Sequence, residues 1–224
     1  MRLGISLSPQ AVMWPELRQS AELVDRLGYD YLFTWDHLLA PFGADDQPIF
    51  ESSSLLAAFS QHTKRVRLGA LVNANTFRHP ALLAKLAVTL DHLSGGRAIL
   101  GMGAGWHEAE HRSHGIAFGA SVGERLEWLK EAAPIVRALI DGTTLPTGPN
   151  RYAVRDSSQV PRPVQRHLPL LIGGWGERRT LPIVAANADV WNAKGQPRRS
   201  PTRARASPIS AVRSAAIPLR SSDR

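Results

Sequence analysis

Pro80-Ala81-Leu82-Leu83-Ala84-Lys85-Leu86-Ala87-Val88-Thr89-Leu90-Asp91-His92-Leu93-Ser94-Gly95-Gly96, followed at once by Arg97-Ala98-Ile99-Leu100-Gly101-Met102-Gly103-Ala104-Gly105, carries the organisation of the chain. Leu82, Leu83, Leu86, Leu90 and Leu93 form one apolar stripe at helical spacing. Pro80 suits the first turn, and Ser94-Gly95-Gly96 stops the helix. The short apolar run from Ala98 to Met102 then reads as a strand closed by a glycine-rich turn. The same alternation extends in both directions. Arg2 to Leu7 reads as a strand, and Leu17, Ala21, Val24 and Leu27 recur at helical spacing until Gly28. Further strands are expected at Tyr31 to Trp35, Val66 to Val72, Leu168 to Ile172 and Asp189 to Asn192, with helices over 52–62, 122–141 and 177–188.

Units of this length, roughly thirty residues each, imply a parallel sheet, either doubly wound or closed into a (β/α)8 barrel. Periodicity alone does not choose between them. Pro134 and Pro182 fall inside expected helices, where proline deletes a backbone hydrogen bond, so kinks or breaks are predicted there. The stretch 142–167, with Pro146, Pro149, Pro161 and Pro163, reads as an excursion over the carboxyl end of the sheet that shapes a pocket.

The chain of 224 residues is 43% hydrophobic, enough for one domain with a core. It has no cysteine, which excludes disulfides, thiolate-bound zinc or iron–sulfur sites and a cysteine nucleophile. The first apolar run is too short for a signal peptide, and no stretch approaches the roughly 18 apolar residues of a membrane helix. A cytoplasmic protein with no membrane partner is expected. The net charge is +8, but residues 193–224 hold eight basic side chains and one acid, so the body is nearly neutral. That tail, rich in Arg, Pro, Ala and Ser and without aromatics, is expected to be disordered and to bind no nucleic acid specifically.

Four stretches carry possible chemistry. His107-Glu108-Ala109-Glu110-His111 matches the H-E-x-x-H zinc pattern, but it follows a strand end and turn rather than occupying a long helix, so no metal is expected. Asp36-His37 follows the second strand directly, placing both side chains at the carboxyl end of the sheet, where α/β proteins bind ligands. The pair reads either as a cap or surface ion pair, or as a proton-exchanging imidazole with its neighbour. Gly101-Met102-Gly103-Ala104-Gly105 and Ile172-Gly173-Gly174-Trp175-Gly176 end strands, and each reads either as a tight turn or as backbone opened to a cofactor.

Taken together, Trp35-Asp36-His37-Leu38, Asn75 to Lys85, Leu90 to Arg97 and Gly101 to Trp106 resemble the bacterial luciferase-like superfamily. Arg162 to Arg166, Ile172 to Leu181 and Ala188 to Ala193 continue the likeness. Within that superfamily the closest resemblance is to the oxidoreductases that use the deazaflavin coenzyme F-420. The resemblance implies a TIM-like (β/α)8 barrel with an insertion at about 142–167, and a cofactor at the carboxyl ends of the strands. It implies a hydride transfer between C5 of coenzyme F-420 and a small organic substrate, with an FMN-dependent monooxygenase as the alternative. His37 would be the proton donor or acceptor, and Asp36 would lie against the ring. Leu71-Val72 would form a non-prolyl cis peptide at the ring, and Asn73, Gly103, Gly105, Trp106 and Glu108 would complete the pocket. Gly173, Gly174, Trp175 and Gly176 would hold the phosphate.

The likeness by motif ends near Ala193, with about six of the eight barrel strands in view. A barrel domain at 1–193 that is incomplete, and a tail at 194–224 that is truncated or frame-shifted, are the expectation. The first and sixth strands would then be open edges, and a homodimer is one way to cover them. An inactive remnant is the third functional alternative.

Overall fold

The computed structural model describes residues 2–44, 46–145 and 151–193, together with the backbone of 209–212. Strands and helices alternate in the expected order. They are β1 (Gly4–Leu7), α1 (Trp14–Arg26), β2 (Tyr31–Thr34), α2 (Ser52–His62), β3 (Arg67–Ala70) and β4 (Asn73–Ala74). There follow α3 (Pro80–Leu93), β5 (Leu100–Gly103), α4 (Glu108–Ser113), α5 (Val122–Asp141), β6 (Leu170–Gly173), α6 (Thr180–Asn187), β7 (Val190–Asn192) and β8 (Ile209–Val212).

β1, β2 and β3 pair in parallel, as do β4, β5, β6 and β7. A parallel bridge between Leu68 and Ala98 joins the two sets, with the Ile99 amide donating to the Leu68 carbonyl at 2.8 Å. Close approach there requires glycine. A Cβ on Gly69 would stand 2.4 Å from the Ile99 carbonyl oxygen, and one on Gly101 2.2 Å from that of Ala70. The third strand, expected to run unbroken to Val72, is interrupted by a cis peptide between Leu71 and Val72 and resumes as β4. The result is a curved parallel sheet of the (β/α) type; no pairing between β7 and β1 closes it among the described residues.

Two apolar layers hold the helices to this sheet. Leu17, Ala21 and Val24 of α1 and Leu55, Leu56 and Phe59 of α2 pack on Ile5, Leu7, Leu32 and Leu68. Leu83, Ala87 and Val88 of α3 and Leu129, Ile135, Val136 and Leu139 of α5 cover Leu100, Met102, Leu170 and Ile172. Side chains from the opposite faces of the strands, Phe33, Ile99 and Leu171, meet inside the curve. Burial on both faces explains why these strands read as continuous apolar runs.

Several sequence expectations are corrected. α5 runs as one helix through Pro134. Pro182 is the third residue of α6, which starts at Thr180 rather than 177; first-turn amides lack intrahelical partners in any case, so proline breaks nothing there. The excursion after α5 begins at the carboxyl end, where the Tyr152 hydroxyl accepts from Asn75 Nδ2 at 2.8 Å. It then runs down the flank of α3, with Lys85 on the Val160 carbonyl and Gln165 on Asp91. Pro146 and Pro149 lie outside the described residues. The first strand is not an open edge: Ile209–Val212 lies antiparallel along β1. This segment carries two β-branched residues, Ile209 and Val212, and lies within the tail expected to be disordered. The rest of the tail lies outside the described residues.

Candidate active site at the carboxyl end of the sheet

Asp36 and His37 leave β2 together but do different work. The Asp36 carboxylate is buried and fully used by the protein. It accepts from Ser52 Oγ at 2.6 Å, from the Ala74 amide at 2.8 Å and from both terminal nitrogens of Arg78 at 2.7 and 2.9 Å. Arg78 also grips Glu51 at 2.6 Å, and Glu51 caps α2 by accepting from the amides of Ser53 and Ser54. Burial works to raise the Glu51 carboxyl, but the amides of Ser54 and Ser53 and the Arg78 guanidinium outweigh it and hold the group down at about 2. Asp36 therefore clamps the β2, β4 and α2 loops, and its carboxylate oxygens are engaged within the fold.

His37 is held by a residue that sequence reasoning did not select. Its Nδ1 lies 3.0 Å from Glu110 Oε1, while Glu110 Oε2 accepts from the Leu38 amide at 2.8 Å. The Glu110 side chain is 2% exposed. Burial works to raise its carboxyl, but the contacts with His37 and with the Leu38 and Leu39 amides lower it below the ordinary glutamate range, so it is a carboxylate. A carboxylate can only accept, so Nδ1 carries the proton and Nε2 of neutral His37 presents its lone pair. Among the described residues Nε2 has no hydrogen bond. This is the buried carboxylate and histidine arrangement that fixes a tautomer and an orientation.

Aromatic rings surround the imidazole. Trp106 meets His37 edge-on at 5.5 Å and stacks on His107 at 5.1 Å, with Phe42 at 6.4 Å. Trp106 is nevertheless 58% exposed, which leaves a broad apolar face toward solvent beside His37. α4, absent from the sequence expectations, places Glu110 here. His111, the second histidine of the H-E-x-x-H match, is fully buried with Nδ1 on the His107 carbonyl and Nε2 on Thr76 Oγ1, both at 2.7 Å. Neither nitrogen is left for a metal, so that pattern is coincidental as a zincin motif. His37, His107 and Glu110, however, do bring three ligand-type atoms within 4.8 Å of one another.

The remaining expected residues divide into two groups. Val72 packs between the ends of β5 and β6, where a Cβ on Gly103 or Gly173 would meet its methyls at 2.7 and 3.1 Å. Leu71 and Val72 are half-buried beside Phe33, Ile99 and Leu171. Asn73 is buried and donates to the Gly101 carbonyl at 2.7 Å. Gly105 has φ of +78° and lies against Thr76, and Glu108 is exposed at the start of α4. In the loop after β6, Gly174 and Gly176 pack on Thr180 while Trp175 is 65% exposed. A turn at 177–179 separates these glycines from α6, so the loop does not open the helix directly as expected. No contact joins Trp175 or Gly176 to His37 among the described residues.

The family described as luciferase-like monooxygenase matches residues 1–218, across the alternating strands and helices and past Ala193, where the likeness by motif ends. The chain belongs to this family. Family membership extends to the segment that pairs β8 with β1, so the similarity is longer than the motifs suggested. An F-420-dependent glucose-6-phosphate dehydrogenase of Microbacterium testaceum is 31% identical over 181 residues, covering 80% of this chain and 53% of that protein. An FMNH(2)-dependent dimethylsulfone monooxygenase of Pseudomonas putida is 28% identical over 174 residues, covering 78% of this chain and 47% of its own. The chain spans about half the length of the curated relatives it matches. An F-420-dependent secondary alcohol dehydrogenase solved with an F-420–acetone adduct shares the fold, with a TM-score of 0.75 at 22% identity over 86% of this chain and 58% of that one. Among the described residues, no helix is long and apolar enough to cross a membrane.

Proposed function

We propose that the chain is an oxidoreductase of the luciferase-like family in which His37 moves a proton beside a bound deazaflavin, coenzyme F-420, during hydride transfer with a small organic substrate. The observation that carries this reading is the ionised, buried Glu110 holding His37 Nδ1, which leaves Nε2 as acceptor at the mouth of the sheet. When bound, such a ring supplies the two-electron step at C5. The residues present fit a flat conjugated group: Leu71 and Val72 are half-buried at a strand end, and the exposed Trp106 offers its edge and face beside the imidazole.

The chain's own part is positioning and proton traffic. Glu110 fixes the His37 tautomer, so a substrate hydroxyl at Nε2 would give up its proton as its carbon loses hydride. In the reverse direction the imidazolium would return it. Asp36, through Arg78, Ser52 and the Ala74 amide, holds the loops that carry this histidine without touching the chemistry. Gly173 to Gly176 are the residues proposed to approach the phosphate, with Trp175 as a flanking aromatic.

The test is a titration of the purified chain with coenzyme F-420 and, separately, with FMN, followed by tryptophan fluorescence and thermal shift. Saturable F-420 binding that quenches fluorescence and raises the melting temperature is expected, with the quenching reduced in Trp106→Ala. Turnover should fall by about 100-fold or more in His37→Ala, the range of general acid–base catalysis. Preference for FMN would favour the monooxygenase alternative. Binding of neither, or full turnover in His37→Ala, would overturn the proposal.

A further inference from the structure

We infer that His37, His107 and Glu110 form a binding site for a divalent transition-metal ion of the zinc type. His107 Nδ1 is buried and has no hydrogen-bond partner, an arrangement that folded proteins avoid unless something else satisfies the atom. It stands 3.9 Å from Glu110 Oε1, and His37 Nδ1 stands 3.0 Å from the same oxygen. Ligand atoms around a tetrahedral zinc ion lie about 3.3 Å apart, given bonds of about 2.0 to 2.1 Å. The two separations to Glu110 bracket that spacing, and all three donors lie within 4.8 Å of one another before any ion arrives.

The donor set also selects the ion. Two imidazole nitrogens and one carboxylate oxygen suit zinc, cobalt, nickel, copper or ferrous iron rather than magnesium or calcium, which take oxygen ligands. The site has an approach from solvent, because the side chains of His37 and His107 are 12% and 19% exposed while Glu110 forms the floor at 2%. His107 and Glu110 sit three residues apart across the start of α4, and His37 comes from the end of β2. The segment that resembles a zincin motif therefore supplies two ligands, His107 and Glu110, of which the motif names only His107.

Metal binding rests on these three side chains alone; its consequence for turnover rests on the proposed role of His37. An imidazole coordinated through Nδ1 carries its proton on Nε2 when neutral. The ion would replace the Nδ1–H contact with Glu110 and turn Nε2 from acceptor into donor. Occupancy would therefore switch the proton chemistry off.

The experiment is a titration of the metal-free chain with Co²⁺, read by its visible absorption, and with Zn²⁺ by calorimetry. One equivalent of Co²⁺ with tetrahedral absorption, displaced by Zn²⁺, is expected. His107→Ala and, separately, His37→Ala should each weaken binding by about 10- to 100-fold while retaining the far-ultraviolet circular dichroism of the parent. His62→Ala, a histidine on α2 away from the site, should leave binding unchanged. Absence of a single stoichiometric site, or unaltered affinity in folded His107→Ala, would overturn the inference. Because the readouts need no cofactor, they answer independently of whether F-420 binds.

Discussion

Two loops at the carboxyl end of the same sheet are built on opposite principles. Where β2 meets α4, the buried charged groups are tied down: Arg78 joins Asp36 to Glu51, and Glu110 fixes His37 and the Leu38 amide. The loop after β6 is instead defined by small residues packed on Thr180, with Trp175 left in solvent. The first region is pre-organised, which a proton-transferring group requires. In the second, Gly174 and Gly176 lie against Thr180 at the start of α6, so glycine richness alone does not decide between a tight turn and a phosphate site.

Breaking the polar region should cost most. Arg78→Met leaves the buried Asp36 carboxylate without its counter-charge, and a stability loss of about 3 kcal/mol is expected in chemical denaturation. A loss below about 1 kcal/mol would show that the two loops are held in other ways.

Glycine substitutions sharpen the contrast at smaller scale. Gly105→Ala forces a side chain into a left-handed backbone and within 2.7 Å of Thr76 Oγ1, for an expected cost of about 1 to 2 kcal/mol. Gly176→Ala, 3.0 Å from Thr180 Oγ1 and free of positive φ, should cost within about 0.5 kcal/mol. Equal costs would remove the distinction between the two turns.

The smallest expected effect is that of Glu51. Its carboxyl is held at about 2 in the fold against 4.5 ordinarily, so its stabilisation is complete above about pH 4.5 and is lost as pH falls through about 2. The stability advantage of the parent over Glu51→Gln should therefore shrink between about pH 6 and pH 3 in paired denaturation curves. The amount is modest because the side chain is 38% exposed and water screens the pairing. An advantage that grows on acidification would contradict the assigned direction.

What the sequence made legible follows from what is local. The leucine stripe of α3, its Pro80 start and its Ser94-Gly95-Gly96 end are determined by neighbouring residues, and that helix is found as expected. The interruption at Leu71-Val72 was anticipated only through family resemblance, since nothing in the periodicity distinguishes it. Arg78 and Glu110 escaped because their roles depend on partners distant in sequence; Glu110 is 73 positions from His37. A glutamate one turn into a short helix looks like a solvated charge. A second glutamate inside the H-E-x-x-H match, Glu110, was the available signal, and it was set aside together with the zinc pattern. Asp36 and His37 were selected for standing at a strand end, but only three-dimensional contacts separate the clamp at Asp36 from the imidazole held by Glu110.

Ionised Glu110 fixes His37 as the Nδ1–H tautomer. Nitrogen-15 NMR of the imidazole rings, assigned by comparison with His37→Ala, reads this directly. A protonated Nδ1 and a bare Nε2 are expected for neutral His37 in the parent chain, with tautomer exchange appearing in Glu110→Gln. A parent spectrum showing His37 protonated on Nε2 alone would contradict it.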